Sequence, residues 1–311
     1  MATSAPGKHY RKGMSLMEAV GMFSDEAIAE AWFVEQRWPD GVECPDCNSH
    51  DIQHRTTRKP QPFRCNECRK DFSVKTASIM HASKLPLKAW GLAIYLVSTN
   101  LKGVSSMKLH RDLGVTQKTA WHLGHRIREA WAHDNGLFAG PVEADETAIG
   151  GLEKNKHADK KLRNGRGSAG KTIVHGMLDR PTNQVSAAVV DSPNAVTLQG
   201  RVLDATETTA QVYTDEATAY NGMARRHEAV NHSTGEYVRE QAHTNGIESF
   251  WAMLDRGIMG TFHHVSPKHL DRYVTEFAGR HNQRPSDTIA QMRGVAHRMG
   301  GKRLSYRMLT A

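Results

Sequence analysis

Cysteine is scarce and confined: the chain has four, Cys44, Cys47, Cys65 and Cys68, arranged as two Cys-x-x-Cys pairs. With no cysteine outside the pairs and no secretory context, a disulfide framework is excluded and a reducing compartment is implied. Long apolar runs are missing too. The longest, Ala89 to Val97, is about half of the ~20 residues that a bilayer span requires, and no apolar segment follows Met1. Membrane insertion and secretion are therefore not expected. Acids are the minority charge, 33 Asp and Glu against 41 Lys and Arg, for a net charge of +8. That surplus favours a polyanionic partner without requiring one, because a solvated surface accounts for an excess of this size in a chain this long. No internal repeat or long low-complexity segment is visible.

What is present is enough apolar material for a core: 39% of the 311 residues are hydrophobic beside 24% charged, which suits two or three globular domains. Seventeen residues separate the two cysteine pairs. Two residues between thiolates turn both sulfurs toward one ion, and two such knuckles close the tetrahedron of a structural Zn²⁺ site. A redox dithiol would need a βαβ setting that the flanking sequence lacks. Phe63 and Phe72 flank the second pair and supply the apolar packing of a zinc ribbon, a module too small for much other core.

Hydrophobic spacing predicts a helix over 15–37, ended by Pro39, and another that begins at Pro86 and runs through Trp90, Ile94 and Val97. Ser105 can cap a short helix that Gly114 breaks, and Thr116 can cap a third with Ala120, Leu123 and Ile127 on one face. The tight Leu113-Gly114-Val115 turn between them is a helix-turn-helix pattern, whose second helix would enter a DNA major groove. Lys102, Lys108, Arg111, Lys118, Arg126 and Arg128 against Asp112 alone suit phosphate contacts, although a plain helical hairpin with a solvated basic face reads the same way. From residue 139 the pattern turns to strands: Val142 to Ile149, Thr172 to Leu178, Val185 to Asp191, a helix from Asn194 to Leu203, a strand from Ala210 to Asp215 and another near His227. Helices follow over Asn245 to Arg256 and Pro267 to Asn282. The expected organisation is multidomain: an N-terminal helical segment (1–39), a zinc ribbon (40–80), a helix-turn-helix region (84–136), an α/β RNase H-like domain (139–285) and a basic tail (286–311).

Two aspartates are placed by this fold at neighbouring strand ends, Asp145 in the first strand and Asp215 closing the fourth. Paired carboxylates repel as bare anions, and hard oxygen ligands suit Mg²⁺ or Mn²⁺. Strand alternation puts Glu143 on the face of Asp145 and turns Glu146 away, which ranks Glu146 lower as a ligand. On the helix that follows, Asn245 and Glu248 are one turn apart and can look toward the same site. Glu248 ranks first because a carboxylate neutralises a divalent cation better than an amide, while Asn245 can equally be a helix cap. The run Gly165-Arg-Gly-Ser-Ala-Gly170-Lys171-Thr172 matches the letters of a phosphate-binding P-loop. Its context is reversed, with a basic stretch from Lys154 before it and a β-rich segment after it, so no nucleotide is expected.

These residues together resemble the DDE transposases of bacterial insertion sequences, in the branch with an N-terminal zinc ribbon and an ISXO-like catalytic domain related to eukaryotic Merlin elements. The resemblance runs from Trp38 to about Pro285. It rests on Phe63 to Lys75, Glu143-Ala-Asp-Glu-Thr, Gly165 to Thr172, Thr214-Asp-Glu, His243 to Trp251 and Tyr273 to Arg284. It implies a transposase that binds double-stranded DNA at its element ends and target, works as a homo-oligomer on the nucleoid in the cytoplasm, and holds catalytic Mg²⁺ or Mn²⁺ through Asp145, Asp215 and either Glu248 or Asn245. The family pattern also implies Lys where Asp255 stands, so the basic role either moves to Arg256, which follows it, or is lost. A zinc-containing DNA-binding regulator would explain residues 40–130 but would leave the carboxylates and the Asn245/Glu248 helix unused.

Overall fold

Apolar residues run right round the helix α3 (Leu87–Thr99), and Trp90, Ala93 and Ile94 in it are fully buried. A helix without a polar face belongs in the middle of a core. The computed structural model describes residues 12–132, 136–151, 156–161, 170–215, 217–230 and 243–311, and the chain divides into two compact units, Met1–His133 with Gln283–Ala311, and Asp134–Asn282.

In the first unit α1 (Leu16–Met22), α2 (Glu26–Arg37), α4 (Ser106–Leu113), α5 (Gln117–Trp131) and α9 (Thr288–His297) all pack on α3. The helix predicted over 15–37 is two, because Asp25 turns its carboxylate onto the Ala27 N–H (2.7 Å) and starts α2 afresh. Pro86 has no side chain to cap α3, and Glu26 does so from α2, accepting from the Leu87 N–H (2.6 Å) and the Lys88 N–H (3.2 Å). The α4–α5 pair has the expected punctuation: Ser105 accepts from the Lys108 N–H, Gly114 takes the left-handed conformation (φ +63°), and Thr116 accepts from the Thr119 N–H. Between α2 and α3 lies a small antiparallel sheet, β1 (Ile52–His54), β2 (Phe63–Cys65) and β3 (Asp71–Phe72). Trp38 stands edge-on to both Phe63 (5.9 Å) and Phe72 (6.0 Å), so the apolar face of the ribbon closes on the end of α2.

Residues 286–311, read from composition as a basic tail, contain α9 and α10 (Tyr306–Thr310). Met292, Val295, Ala296 and Met299 are fully buried in the same core as Trp90. Their helical spacing outweighs the surrounding positive charge.

The second unit is a five-stranded sheet in the order β6-β5-β4-β7-β8. β4 (Val142–Ile149), β5 (Thr172–Asp179) and β6 (Gln184–Val190) are antiparallel; β7 (Gln211–Asp215) and β8 (Arg226–Val230) run parallel to β4. One face packs Val174, Leu178 and Val185 under α7 (Asn245–Gly257) and α8 (Pro267–Asn282) through Phe250, Trp251, Leu254 and Phe277. The other packs Ala144 and Met177 under α6 (Ala195–Ala205) with Tyr220. Burial on both faces makes this sheet the stable platform of the unit. Among the described residues no helix is long and apolar enough to cross a membrane.

Candidate metal centres

Cys44 and Cys65 are fully buried and Cys47 is exposed, yet all four sulfurs lie within 4.8 Å of one another. The Cys44–Cys68 and Cys47–Cys65 sulfurs are each 3.6 Å apart. That is far beyond the ~2.05 Å of a disulfide and close to the ~3.8 Å edge of a tetrahedron with ~2.3 Å metal–sulfur bonds. Backbone bonds shape the knuckles: the Cys44 N–H donates to Ser49 O (2.9 Å) and the Cys65 N–H to Lys70 O (3.0 Å). The Cys68 N–H faces Cys65 Sγ at 3.5 Å and brings that thiol down to about 7. Cys47 goes the other way. The Ser49 backbone would lower it, but desolvation and the neighbouring sulfurs push it up to about 12. Four thiols this close cannot all ionise without a cation, so donor type, number and spacing fit a structural Zn²⁺ held by Cys44, Cys47, Cys65 and Cys68.

The second cluster sits where β4 and β7 part. The strands pair at Val142↔Val212 and Glu143↔Tyr213, and Asp145 and Asp215 come two residues beyond the second pair. Carboxylate oxygens of Asp145, Glu146 and Asp215 lie within 4.8 Å of one another. The Trp251 indole N–H donates to Asp145 Oδ2 at 3.0 Å. Opposite Asp145 on β5 is Gly176, where a Cβ would stand 2.5 Å from the indole ring, so only glycine leaves room for Trp251 there. Burial, and then the charge of Asp215, push Asp145 up to about 6. Glu146 is pushed up to about 7 by burial and by the two aspartates, against the hydrogen bond that the Tyr220 hydroxyl donates to it at 2.5 Å. Three half-buried hard-oxygen groups that resist ionising together fit a divalent cation such as Mg²⁺ or Mn²⁺.

Glu143 and Glu146 exchange the parts that strand alternation assigned to them. Glu143 does face α7 with Asp145, but it is buried and committed elsewhere: Arg180 Nε donates to it at 2.7 Å, and so does the Ile247 N–H at 2.9 Å. It thereby ties the first turn of α7 to β4, and a Cβ on Gly246 would stand 2.8 Å from its oxygen. Glu146 emerges on the opposite face beside Tyr220, yet its longer side chain reaches the gap left where the β4–β7 ladder stops.

The helix residues stand at the rim. Asn245 is the first residue of α7, Thr244 is its cap, and both Asn245 and Glu248 are exposed. Glu248 accepts from the Thr244 hydroxyl (2.9 Å); it lies outside the tight trio, but its charge helps to raise Asp145. Asp255 and Arg256 are exposed in the last turn of α7, and the charge of Lys171 acts on Asp255. Of the run resembling a P-loop, residues 165–169 lie outside the described residues, as do Lys154, Arg163 and Arg166; Thr172 opens β5, a strand rather than a helix. Among the basic residues proposed for DNA, Lys108, Arg111, Lys118 and Arg256 are exposed, Lys108 in an ion pair with Asp112 (2.7 Å). Arg126 is not. It is 7% exposed, donates to the His81 carbonyl and lies over the Trp90 ring, because α5 turns this position toward the core; Arg128 is buried as well. Glu146, ranked lower by strand alternation, lies within the cluster, and Tyr220, which no sequence pattern marks, bonds to it. Trp251 packs in the apolar core and also carries a polar role, which its place opposite Gly176 reveals.

Comparison with known proteins bears on both the four-cysteine ribbon and the mixed sheet that gathers three acids at one end. Residues 138–282 match the ISXO2-like transposase domain, and residues 24–71 match the transposase zinc-ribbon domain. Two transposase domains, a zinc ribbon and an ISXO2-like domain, are thus matched within this chain. It is 28% identical over 275 residues, 84% of this chain and 92% of the other, to an uncharacterized protein in transposable element ISH50 of Halobacterium salinarum. A solved simian T-cell lymphotropic virus intasome in complex with the PP2A regulatory subunit B56 gamma is similar at a TM-score of 0.27 and 15% identity, over 59% of this chain and 62% of that one.

Proposed function

We propose that this protein is an active DDE transposase: it binds the ends of its insertion sequence and carries out metal-dependent DNA cleavage and strand transfer by phosphoryl transfer. The observation that carries the reading is the trio Asp145, Glu146 and Asp215 at the end of a sheet within an ISXO2-like transposase domain. The strand order and directions favour an RNase H-like domain, and α4–α5 with its Gly114 turn favours a helix-turn-helix that reads double-stranded DNA.

Asp145 and Asp215 would hold the catalytic Mg²⁺ or Mn²⁺, with Glu146 beside them and Glu248, or else Asn245, reaching in from α7. Bound there, the ions would supply Lewis-acid activation of an attacking water or 3′-hydroxyl and stabilise the leaving oxygen. Trp251 orients Asp145 by occupying one oxygen and leaving the other turned to the site; Tyr220 does the same for Glu146. Lys108, Arg111, Lys118 and Arg256 offer charge for backbone phosphates. The Cys44, Cys47, Cys65 and Cys68 zinc is structural, since four thiolates leave no position for water. Self-association on DNA, in the compartment that holds the chromosome, completes the reading.

Joining of pre-cut element ends into a target duplex with Mn²⁺ or Mg²⁺ tests it. Wild-type protein should join ends only with the ion present, and Asp145→Asn and Asp215→Asn should be inactive while still binding ends. Glu146→Gln, Glu248→Gln and Asn245→Ala, assayed together, identify the third ligand as the variant with the greatest loss. Metal-independent joining, or an active Asp145→Asn, would overturn the proposal.

A further inference from the structure

The first unit holds a cluster of positive charge for which the cutting site has no use. A cleft of ≈ 800 Å³ opens between residues 82–85, α5 and α10. Its charged lining has one sign: Lys84, Lys118 and Arg126, with His122 beside them and no acid among the described lining residues. Trp90 and Tyr306 form apolar walls, and Lys118 lies over the Tyr306 ring at 4.4 Å.

Arg126 is the unusual member. One terminal nitrogen donates to the His81 carbonyl, and the guanidinium lies 5.6 Å from the Trp90 ring centroid. Its Nε is buried without a partner, and the side chain is only 7% exposed. No described carboxylate acts on it. Instead desolvation, and then the like charge of Arg303, bring it down to about 10. Burial, with the charges of Arg303 and Arg126, lowers His81 in the same way. Buried charges are ordinarily paired, and a guanidinium with an unpartnered Nε, in the wall of a cleft that has no acid among its described lining residues, carries donors that suit an oxyanion.

We propose that this cleft is a phosphate-binding site in which an incoming phosphate passes between Lys84 and Lys118 and completes the hydrogen bonding of Arg126. The phosphate is that of a DNA backbone or of a free phosphate compound. The first source rests on the DNA-binding reading above, because α5 is the second helix of the α4–α5 pair and Lys118 lies exposed near its start.

The test uses the full zinc-loaded chain without Mg²⁺ or Mn²⁺, so that binding is read apart from cutting. Binding of a 20-bp duplex is measured against salt, and thermal melting is followed with inorganic phosphate and with ATP. Arg126→Gln should weaken duplex binding about 10-fold and reduce the slope of log affinity against log salt by about 1. Lys118→Ala should reduce the slope similarly with a smaller loss of affinity. Phosphate should raise the melting temperature of the wild type and leave Arg126→Gln unmoved. If Arg126→Gln does not fold, the exposed pair Lys84→Ala and Lys118→Ala carries the same measurements. A phosphate response without a change in salt slope supports the site with a free phosphate as ligand and overturns the DNA source. Wild-type slope and wild-type phosphate response in every variant overturn the site. Asp145→Asn should leave all these readouts in place, which separates failure here from failure of the catalytic proposal.

Discussion

Two clusters in this chain crowd like groups together, and they are supported in opposite ways. Of the four cysteines only Cys65 lies on a strand, one of three residues, while the others stand in turns and loop, and the sulfurs are positioned by backbone bonds within the knuckles themselves. The three carboxylates stand at the end of a sheet already packed on both faces, and are steadied by Trp251 and Tyr220 reaching in from other elements. In the ribbon, then, the cluster holds the fold together. In the second unit the fold holds the cluster, and the acids weaken a platform that apolar burial keeps in place.

The largest effect that follows is on the ribbon. Cys65→Ser, or chelation, should remove its single zinc and forfeit a stabilisation on the order of 10 kcal/mol, unfolding residues 40–80 locally. Zinc content and protease sensitivity read this; a metal-free ribbon that resists protease would break the comparison.

Glu143→Gln comes next. It removes the buried charge that pairs with the half-buried Arg180 and weakens the acceptor for the Ile247 N–H, and should destabilise the second unit by about 3 kcal/mol in urea unfolding. An unchanged midpoint would mean that α7 is anchored by its apolar face alone.

Asp145→Asn should act with the opposite sign. Without metal it should stabilise the second unit by about 2 kcal/mol at neutral pH, because it removes a carboxylate held up to about 6. A destabilised variant would show that the acids support the sheet after all.

The same shifts fix a pH dependence. Asp145 and Glu146 have raised folded values of about 6 and about 7, so the stability they contribute when protonated is complete below their ordinary range near pH 4. It is lost as pH rises through 6 and 7. Metal-free protein should therefore melt lower at pH 7.5 than at pH 5, and millimolar Mg²⁺ should narrow the difference. A flat profile that Mg²⁺ does not alter would contradict both the shifts and the metal.

Trp251→Phe should give the smallest change. The ring still fills the space over Gly176, so stability should fall by only about 1 kcal/mol for the lost hydrogen bond. Metal affinity should fall by about 10-fold, as for other residues that orient a ligand. Titration with Mn²⁺ distinguishes this from a purely structural role, which would leave the affinity unchanged.

Much of this was legible in the chain because the signals are local. The spacing of Cys44, Cys47, Cys65 and Cys68 needs no distant partner to be read, and the caps Ser105, Gly114 and Thr116 set off α4 and α5 within a dozen residues. Asp145 and Asp215 were legible through topology, since a parallel step between β4 and β7 brings their strand ends together. What stayed hidden depends on long-range geometry. Alternation along β4 assigned faces correctly but could not show that the ladder to β7 stops after Glu143, and this opening lets Glu146 in. The reach of Arg180 to Glu143 and of Glu26 to α3 joins residues 37 and 61 positions apart, and no short pattern marks either. Around Met292 and Val295 the composition was misleading: Arg293 between them is exposed, and the apolar stripe beneath decides the structure.

The division of the chain also orders events in time. The second unit, Asp134–Asn282, is contiguous, whereas the first is interrupted by it and resumes at Gln283. Trp90, Ile94 and Trp131 leave the ribosome early, but Met292, Val295 and Met299, which fill the same core, are made only after the whole second unit. During synthesis the sheet with its acids can therefore fold before the helical core around α3 can close. A released chain truncated after Asn282 should have a protease-resistant second unit beside an open first one.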